Sequence, residues 1–230
     1  MILARVLEPE ANDSLTEALA YDAIDHSAVN LQFVGDLLDQ LPGGGPVLDL
    51  GTGTARIPIE LHHEQPDVRV VGIDLSAGML TVAQSNVATA GAGDRIDLRR
   101  VDAKRLPFGD ESFPVVMSNS FLHHAPEPDV VLCEAWRVLA VGGLMFMRDL
   151  VRPRDETALE HLIEAYGAEA TECQLRMFAD SLRAAITVDE MRDLVGRIGC
   201  PVDTVRATSD RHWTWSCRKG LADDGPLPAE

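Results

Sequence analysis

Short apolar strands alternate with segments of helical periodicity along most of this chain, and this alternation constrains the fold more than any other feature. Apolar residues at every third or fourth position predict a helix, whereas a short apolar run between turn residues predicts a buried strand. Strands that alternate with helices favour a parallel sheet with right-handed crossovers. We therefore predict an α/β fold, a three-layer sandwich, with parallel strands at residues 47–50, 68–74, 95–102, 113–120 and 143–150.

Helices are predicted around and between these strands. One or two short helices are expected in the acidic stretch 13–30, and a longer helix over 155–171. Thr187 and Glu190 have the spacing of a capping box, which predicts a helix that begins there and ends at Gly199. The other segments with helical spacing are 31–41, 57–64, 77–90 and 128–140.

Two strand-like runs, 202–209 and 211–219, close the regular part of the chain. Only Asp210 separates them, and so short a connection predicts an antiparallel hairpin. No linker divides the sequence, so we predict a single domain. Its predicted segments are an N-terminal helical cap at 1–42, a core at 43–150, an insertion at 151–186, the last helix and hairpin at 187–219, and a disordered tail at 220–230.

The charge balance narrows the range of partners. The chain has 20 basic and 37 acidic residues and a net charge of −17. An acidic body repels phosphate backbones, which disfavours a nucleic-acid partner. No apolar run approaches the roughly 18 residues that cross a bilayer, so no membrane partner is expected. The four cysteines show no C-x-x-C spacing, which favours free thiols and a cytoplasmic location.

The first predicted strand runs into the sequence DLGTGTAR, residues 49–56. Its two glycines let a ligand approach the backbone closely, and the following helix offers free N–H groups. A dinucleotide fingerprint has a third glycine where Arg56 stands, and Asp49 would repel a pyrophosphate. The segment therefore favours a ligand with a cationic end, although a turn that binds nothing is the plainer alternative.

Two further acids follow the next two strands. Asp74 ends the second strand, 23 residues after Gly51, where a carboxylate can accept two hydrogen bonds from a ribose diol. Asp102 ends the third strand, where it could accept a bond from an adenine amine. Because the carboxyl ends of parallel strands meet at one edge of a sheet, Asp49, Asp74 and Asp102 together predict a site for a ligand with a cationic amino-acid end, a ribose and an adenine.

These motifs resemble those of the class I S-adenosylmethionine-dependent methyltransferases. The resemblance covers about residues 45–150, and Ala55 departs from it because many family members have a third glycine there. It implies a Rossmann-like, mostly parallel seven-stranded sheet with an antiparallel C-terminal hairpin. The matching motifs are VLDLGTGTARIPIEL (47–61), VVGIDLSAGML (70–80), RVDAKRLPFGDESFPVVMSNSFLHH (100–124) and GGLMFMRD (142–149).

The resemblance implies S-adenosyl-L-methionine as the cofactor. By this likeness Asp49 orients the methionine ammonium, Asp74 holds the ribose hydroxyls and Asp102 holds the adenine. The predicted cofactor-binding residues are Asp49, Gly51, Thr52, Gly53, Asp74, Leu75, Met79, Asp102, Ala103 and Asn119.

Candidate groups for the methyl acceptor follow the fourth and fifth strands. A neutral imidazole of His123 or His124 could deprotonate a hydroxyl or ammonium group. With Asp149 they are the predicted catalytic residues, although packing against the loop backbone is the alternative. Arg148 could clamp a carboxylate or phosphate, or it could brace the end of the sheet with Asp149.

Tyr21 and His26 complete the predicted substrate-binding set with Arg148, because family members build the acceptor pocket from N-terminal and inserted segments. No metal ion is predicted. His123, His124 and Asp149 could recruit one, but nothing in the sequence fixes their geometry.

The sequence thus predicts transfer of the S-adenosylmethionine methyl group to a small-molecule acceptor, with release of S-adenosylhomocysteine. The alternatives are a fold relative that uses the sulfonium for other chemistry, a non-enzymatic binder, and a nicotinamide oxidoreductase, which Asp49 and Arg56 oppose. The acceptor atom, whether oxygen, nitrogen or carbon, and the oligomeric state are left open.

Overall fold

A seven-stranded sheet organises the chain. The computed structural model describes residues 3–8, 14–41, 45–167 and 171–220, apart from the side chain of Cys173. The strands lie in the order β3-β2-β1-β4-β5-β7-β6. They are β1 (Pro46–Leu50), β2 (Arg69–Asp74), β3 (Ile96–Arg100), β4 (Phe113–Asn119), β5 (Leu139–Leu150), β6 (Val205–Ala207) and β7 (His212–Arg218).

Helices precede, separate and follow these strands. The described helices are α1 (Leu15–Asp22), α2 (Ser27–Leu38), α3 (Arg56–Glu64), α4 (Ala77–Thr89), α5 (Pro128–Val138), α6 (Glu156–Tyr166), α7 (Glu172–Ala184) and α8 (Val188–Arg197), and a 3-10 turn follows β4 at Leu122–His124. Among the described residues no helix combines the length and the apolar character that crossing a bilayer demands.

The strand pairing confirms the predicted fold class. The sheet pairs β1 with β2 and β4, β2 with β3, and β4 with β5 in parallel. It then pairs β7 antiparallel to β5 and β6 antiparallel to β7, as the predicted hairpin requires. Since the chain moves outward from β1 to β3 and then returns to β4 on the other side of β1, strand order reverses between β1 and β4. Ligands of open α/β sheets bind outside the carboxyl ends of the strands at such a point.

Alternating residues of β5 face two apolar layers. Met145 and Met147 pack in a cluster with residues of α5 and α8, whereas Leu144 and Phe146 pack in a second cluster with residues of α2 and α3. Both faces of a parallel sheet must be covered in this way, because strand residues point alternately to either side. The two buried layers hold the carboxyl ends of the strands in place.

Several predicted boundaries need correction. The helix expected over 155–171 ends at Tyr166, and α7 follows it as a helix that the sequence analysis did not predict. A capping box of Thr171 and Gln174 begins α7. The predicted helices 13–30 and 31–41 are instead α1 and one continuous α2, which crosses the expected boundary.

Two more corrections concern the chain's ends and β5. Residues 3–8 of the expected helical cap form no helix, and β5 begins at Leu139 rather than at residue 143. Most of the predicted disordered tail, residues 221–230, lies outside the described residues. The division into segments otherwise stays a prediction. Cys133, Cys200 and Cys217 carry free thiols.

Candidate functional site

The turn between β1 and α3 is shaped by three residues with left-handed backbone angles. Gly51, Gly53 and Ala55 have φ of 70°, 54° and 63°. A Cβ atom on Gly51 would lie 2.3 Å from the Phe121 ring, so this glycine permits a packing contact. A Cβ atom on Gly53 would meet no heavy atom within 4 Å, so this glycine faces open space. Gly53 therefore leaves room for a ligand to approach the backbone.

Asp49 is a buried carboxyl group at the end of β1. Its residue is 3% exposed, and burial raises the pKa of this carboxyl to about 7. The negative charge of the neighbouring Asp74 carboxylate also raises the pKa of Asp49. The Thr52 hydroxyl interacts with this carboxyl group and opposes the rise in its pKa. A buried carboxyl group with a raised pKa is a candidate partner for a polar, cationic ligand group, because an opposite charge nearby stabilises the carboxylate.

Asp74 joins the ends of β1 and β2. Its Oδ2 accepts a hydrogen bond of 2.9 Å from the Gly53 amide, and its Oδ1 accepts one of 2.9 Å from the Ser76 amide. A carboxylate has about four acceptor positions, so each oxygen keeps capacity for a ligand hydroxyl. Burial raises the pKa of Asp74, although these amides oppose that shift. The cap of α4 is Ser76, whose Oγ accepts from the Met79 amide at 3.1 Å, which leaves Asp74 for another role.

Other predicted cofactor residues lie along the same edge. Leu75 is 59% exposed directly after Asp74, which leaves an apolar side chain available to cover a ligand ring. Asp102 Oδ1 accepts from the Lys104 amide at 2.9 Å, and Ala103 is buried. We call the residues that are predicted to bind the cofactor at the ends of β1, β2 and β3 and at the start of α4 the cofactor edge, namely Asp49, Gly51, Thr52, Gly53, Asp74, Leu75, Met79, Asp102 and Ala103.

The two polar residues at the end of β4 differ in their surroundings. Ser118 is buried, and its hydroxyl donates a 2.9 Å hydrogen bond to the Leu50 carbonyl, so it links β4 to β1. Asn119 is half-buried at the last position of the strand. Of these two, Asn119 is therefore the one available to a ligand between β1 and β4.

His123 and Asp149 form a buried pair after β4 and within β5. His123 Nδ1 lies 2.6 Å from Asp149 Oδ1, and the His123 amide donates to Oδ2 at 3.0 Å. Although burial opposes ionisation, the His123 imidazole and the donated hydrogen bonds hold the pKa of Asp149 below its usual value. The carboxylate therefore fixes the imidazole ring and leaves Nε2 as the nitrogen that is free to act on a ligand.

His124 lies beside this pair and has its own carboxylate. Its Nδ1 is 2.6 Å from Glu8 Oε2, its side chain is 45% exposed, and its ring centroid is 4.0 Å from that of His123. Despite burial, the hydrogen bond to Glu8 raises the pKa of His124. Although burial opposes it, the same interaction lowers the pKa of Glu8 to about 2. Two adjacent imidazoles are thus each held by one carboxylate.

Residues 3–8, which we call the N-terminal strap, carry Glu8 to this position. The Arg5 guanidinium donates to the carbonyls of Ala184, His123 and Ala125 at 2.7, 3.2 and 3.1 Å. Glu8 also accepts a 2.5 Å hydrogen bond from the Ser181 hydroxyl. The strap therefore connects α7 with the 3-10 turn. Together with His123, His124 and Asp149 it forms what we call the acceptor edge.

Sequence reasoning missed Arg5 and Glu8 entirely. Their partners lie up to 179 residues away in the chain, and neither residue stands in a motif. Phe121, which packs on Gly51, was missed as well, although it lies between the two predicted sites. A contact of this kind leaves no periodic pattern in the sequence.

Tyr21 and His26 lie together above the sheet edge. Their ring centroids are 5.5 Å apart. Burial and the negative charges of Asp74, Asp149 and Asp22 raise the pKa of Tyr21. His26 Nε2 is buried without a hydrogen-bond partner. A salt bridge from Asp22 to Arg56 at 2.6 Å holds α1 over the glycine turn.

Arg148 lies apart from these residues, and its role in substrate binding stays a prediction. Its guanidinium pairs with Asp36 of α2 at 2.6 Å and donates to Thr214 Oγ1 at 2.9 Å. It also lies over the rings of Phe33 and Phe146. Since strand residues alternate between faces, Arg148 lies on the face of Phe146, and its neighbour Asp149 points to the opposite one. The predicted alternative, in which Arg148 and Asp149 pair with each other at the end of the sheet, is wrong, because each residue has its own partners.

Known proteins resemble this chain mainly over its central part. Residues 48–147 match a family model described as a methyltransferase domain. A ubiquinone/menaquinone biosynthesis C-methyltransferase from Desulfotalea psychrophila is 38% identical over 112 residues, which are 49% of this chain and 44% of that protein. The chain spans about half the length of the curated relatives it matches.

Solved structures share the fold over nearly the whole chain. A protein from Methanococcus maripaludis, described as an S-adenosyl-L-methionine-dependent methyltransferase, has a TM-score of 0.72 and 18% identity and covers 95% of this chain and 99% of its own. The [4+2]-cyclase SpnF has a TM-score of 0.60 and 17% identity, with the same coverage of both chains. The same fold thus occurs in proteins described by different reactions.

Proposed function

We propose that this chain, whose residues 48–147 match a methyltransferase-domain family model, is a class I S-adenosylmethionine-dependent methyltransferase that transfers the cofactor's methyl group to a small-molecule acceptor and releases S-adenosylhomocysteine. The observation that carries the proposal is the cofactor edge. It combines a buried carboxyl group with a raised pKa, a glycine that faces open space, and an acid with spare acceptor capacity, all at the carboxyl ends of adjacent strands.

The residues present fit S-adenosylmethionine, a cofactor that supplies a methyl group already activated by a sulfonium. The Asp49 carboxylate and Thr52 hydroxyl would hold its ammonium, beside the space at Gly53. Asp74 would accept hydrogen bonds from two ribose hydroxyls. Leu75, Met79, Asp102 and Ala103 would surround the adenine, and Asn119 would lie near the sulfonium.

The acceptor edge would orient the nucleophile and accept its proton. Methyl transfer is an in-line displacement, so the protein must hold the acceptor atom close to the methyl carbon. His123, fixed by Asp149, offers an imidazole that can take a proton, and His124 lies beside it. Tyr21 and His26 would contact the acceptor from above. The net charge of −17 supports a small molecule over a nucleic acid.

Calorimetry with S-adenosylhomocysteine tests the cofactor assignment. We expect the purified protein to bind one equivalent and to show no heat with NAD, whereas NAD binding without S-adenosylhomocysteine binding would contradict the proposal. Transfer is then tested by mass spectrometry with methyl-labelled cofactor and a panel of phenols, amines and enols. A product that carries the label supports methyl transfer.

A second candidate uses the bound cofactor for chemistry other than methyl transfer. It is favoured by one observation, the similarity in fold to the [4+2]-cyclase SpnF. The two candidates differ in the fate of the cofactor. Conversion of a substrate without formation of S-adenosylhomocysteine would favour the second candidate, because methyl transfer must produce one molecule of it per turnover.

A further inference from the structure

We propose that Glu8, His123 and His124 bind a divalent transition-metal ion of the zinc type at the acceptor edge. One potential ligand atom from each residue lies within 4.8 Å of the other two. Among the described residues, no other group of three histidine, cysteine or acidic side chains has its ligand atoms this close together. The sequence predicts no metal; the structure adds a carboxylate from the N-terminal strap to the two histidines.

The ligand set fits zinc better than magnesium or calcium. Two imidazoles and one carboxylate are a common protein contribution to catalytic zinc sites, which keep a fourth position open. Magnesium and calcium prefer ligand sets made of oxygen atoms. His123 and His124 are consecutive residues of a 3-10 turn with ring centroids 4.0 Å apart, so one short segment brings both nitrogen ligands together.

Two of the three proposed ligands already have hydrogen-bond partners that would orient them. Metal-bound histidines almost always donate their other N–H to a carboxylate or carbonyl, which fixes the ring and its tautomer. Asp149 lies 2.6 Å from His123 Nδ1, so Nε2 of this ring is the nitrogen left for an ion. Ser181 similarly donates to Glu8 Oε1, while Oε2 faces His124. Two of the three proposed ligands are thus already oriented by hydrogen bonds to other residues.

The proposed ligands His124 and Glu8 already contact each other. His124 Nδ1 and Glu8 Oε2 are 2.6 Å apart. An ion that binds both atoms would lie between them and replace this contact. The role of the ion rests on the proposed function. At its open position it would bind an acceptor hydroxyl or thiol and lower the pKa of that group.

The chain contains a matched control. His62 and His63 are also consecutive histidines, near the end of α3, and their ring centroids are 6.4 Å apart. Among the described residues no carboxylate joins them in a three-membered group. They should therefore contribute nothing to a stoichiometric site.

The test is calorimetry with zinc chloride on the full chain after treatment with a chelator. We expect one equivalent to bind the wild type. Glu8→Gln and His124→Gln should each weaken binding by more than roughly tenfold, and Asp149→Asn by about 10–100-fold through loss of ring orientation. The double variant His62→Gln with His63→Gln should bind zinc as the wild type does.

Absence of stoichiometric binding overturns the proposal, and so does binding that survives both Glu8→Gln and His124→Gln. His124 is half exposed, so its variant keeps the test valid if Glu8→Gln fails to fold. S-adenosylhomocysteine binding is measured on the same samples. Cofactor binding without zinc binding defeats the metal site alone, whereas zinc binding without cofactor binding defeats only the proposed function.

Discussion

The cofactor edge and the acceptor edge differ in how far apart in the chain their interacting residues lie. Asp74 reaches Ser76 two residues later and Gly53 21 residues earlier. By contrast, Arg5 reaches His123 across 118 residues, and Glu8 reaches Ser181 across 173. The cofactor edge therefore forms from segments that follow three strands consecutive in the chain, β1, β2 and β3, whereas the acceptor edge needs the N-terminal strap, the centre of the chain and the late helix α7.

This difference matches the extent of the family similarity. The matched residues 48–147 contain almost all of the cofactor edge, but they exclude the strap, α7 and Asp149. A segment outside the shared region can change without disturbing the cofactor turn. The similarity therefore covers the cofactor edge and leaves out the parts of the acceptor edge that come from the two ends of the chain.

The largest expected effect separates two glycines of the cofactor edge. Gly51→Ala puts a methyl group 2.3 Å from the Phe121 ring in a left-handed conformation, so we expect it to lower the free energy of unfolding by about 2–5 kcal/mol. Gly53→Ala has the same backbone cost but open space around it. We expect a loss of only about 1–2 kcal/mol in stability, together with weakened S-adenosylhomocysteine binding.

Urea denaturation and calorimetry distinguish these two outcomes. The assignment of Gly53 to the ligand site is contradicted if Gly53→Ala binds S-adenosylhomocysteine as well as the wild type does. The space above Gly53 would then be unrelated to ligand binding, and the cofactor edge would be only a structural turn.

The second prediction concerns the acceptor edge. Arg5→Ala removes a guanidinium that donates to three carbonyls, and hydrogen bonds to charged groups contribute about 1.5–3 kcal/mol. We expect a loss of this size in the free energy of unfolding, with S-adenosylhomocysteine affinity unchanged. Arg154→Ala is the matched control, because that side chain is 87% exposed and its loss should change stability by less than about 0.5 kcal/mol. A tenfold loss of cofactor affinity in Arg5→Ala would show that the two edges are coupled.

The third prediction concerns Asp74. Asp74→Ala removes both the acceptor of the Gly53 amide and the proposed ribose contact, so S-adenosylhomocysteine binding should weaken by about 1–3 kcal/mol. Asp97 of β3, an exposed acid paired with Arg99, provides the control, and Asp97→Asn should bind normally. Equal affinities of wild type and Asp74→Ala in calorimetry would remove Asp74 from the ribose role.

The two edges also differ in what the sequence could reveal. The glycine turn and the acids after β1, β2 and β3 were predictable, because strand ends and turn residues follow from local patterns. Arg148 lies on the same face of β5 as Phe146, because the two residues are two positions apart in the strand. The sequence analysis did not use this alternation to place Arg148. Glu8 and α7 depend on packing between distant segments, for which a single sequence carries no periodic signal. Sequence reasoning therefore predicted the residues of the cofactor edge and, at the acceptor edge, His123, His124 and Asp149, but not the N-terminal strap.

The last prediction is the pH dependence of the cofactor edge. Burial raises the pKa of Asp49 to about 7, so the folded protein without ligand holds this proton up to neutral pH. Only the carboxylate attracts the ammonium of the methionine moiety, so S-adenosylhomocysteine affinity should rise by about tenfold, or ~1.4 kcal/mol, between pH 6 and pH 8.

The effect of Asp49 on folding has the opposite sign. Because the pKa in the folded state exceeds the unfolded value, the stability gained from holding the proton is present in full below pH 4 and is lost as the pH rises through about 7. Asp49→Asn cannot ionise, so its S-adenosylhomocysteine affinity should stay flat from pH 6 to pH 8 in calorimetric titrations. If the variant and the wild type show the same pH dependence, the titrating group lies elsewhere, and Asp49 does not hold the ammonium.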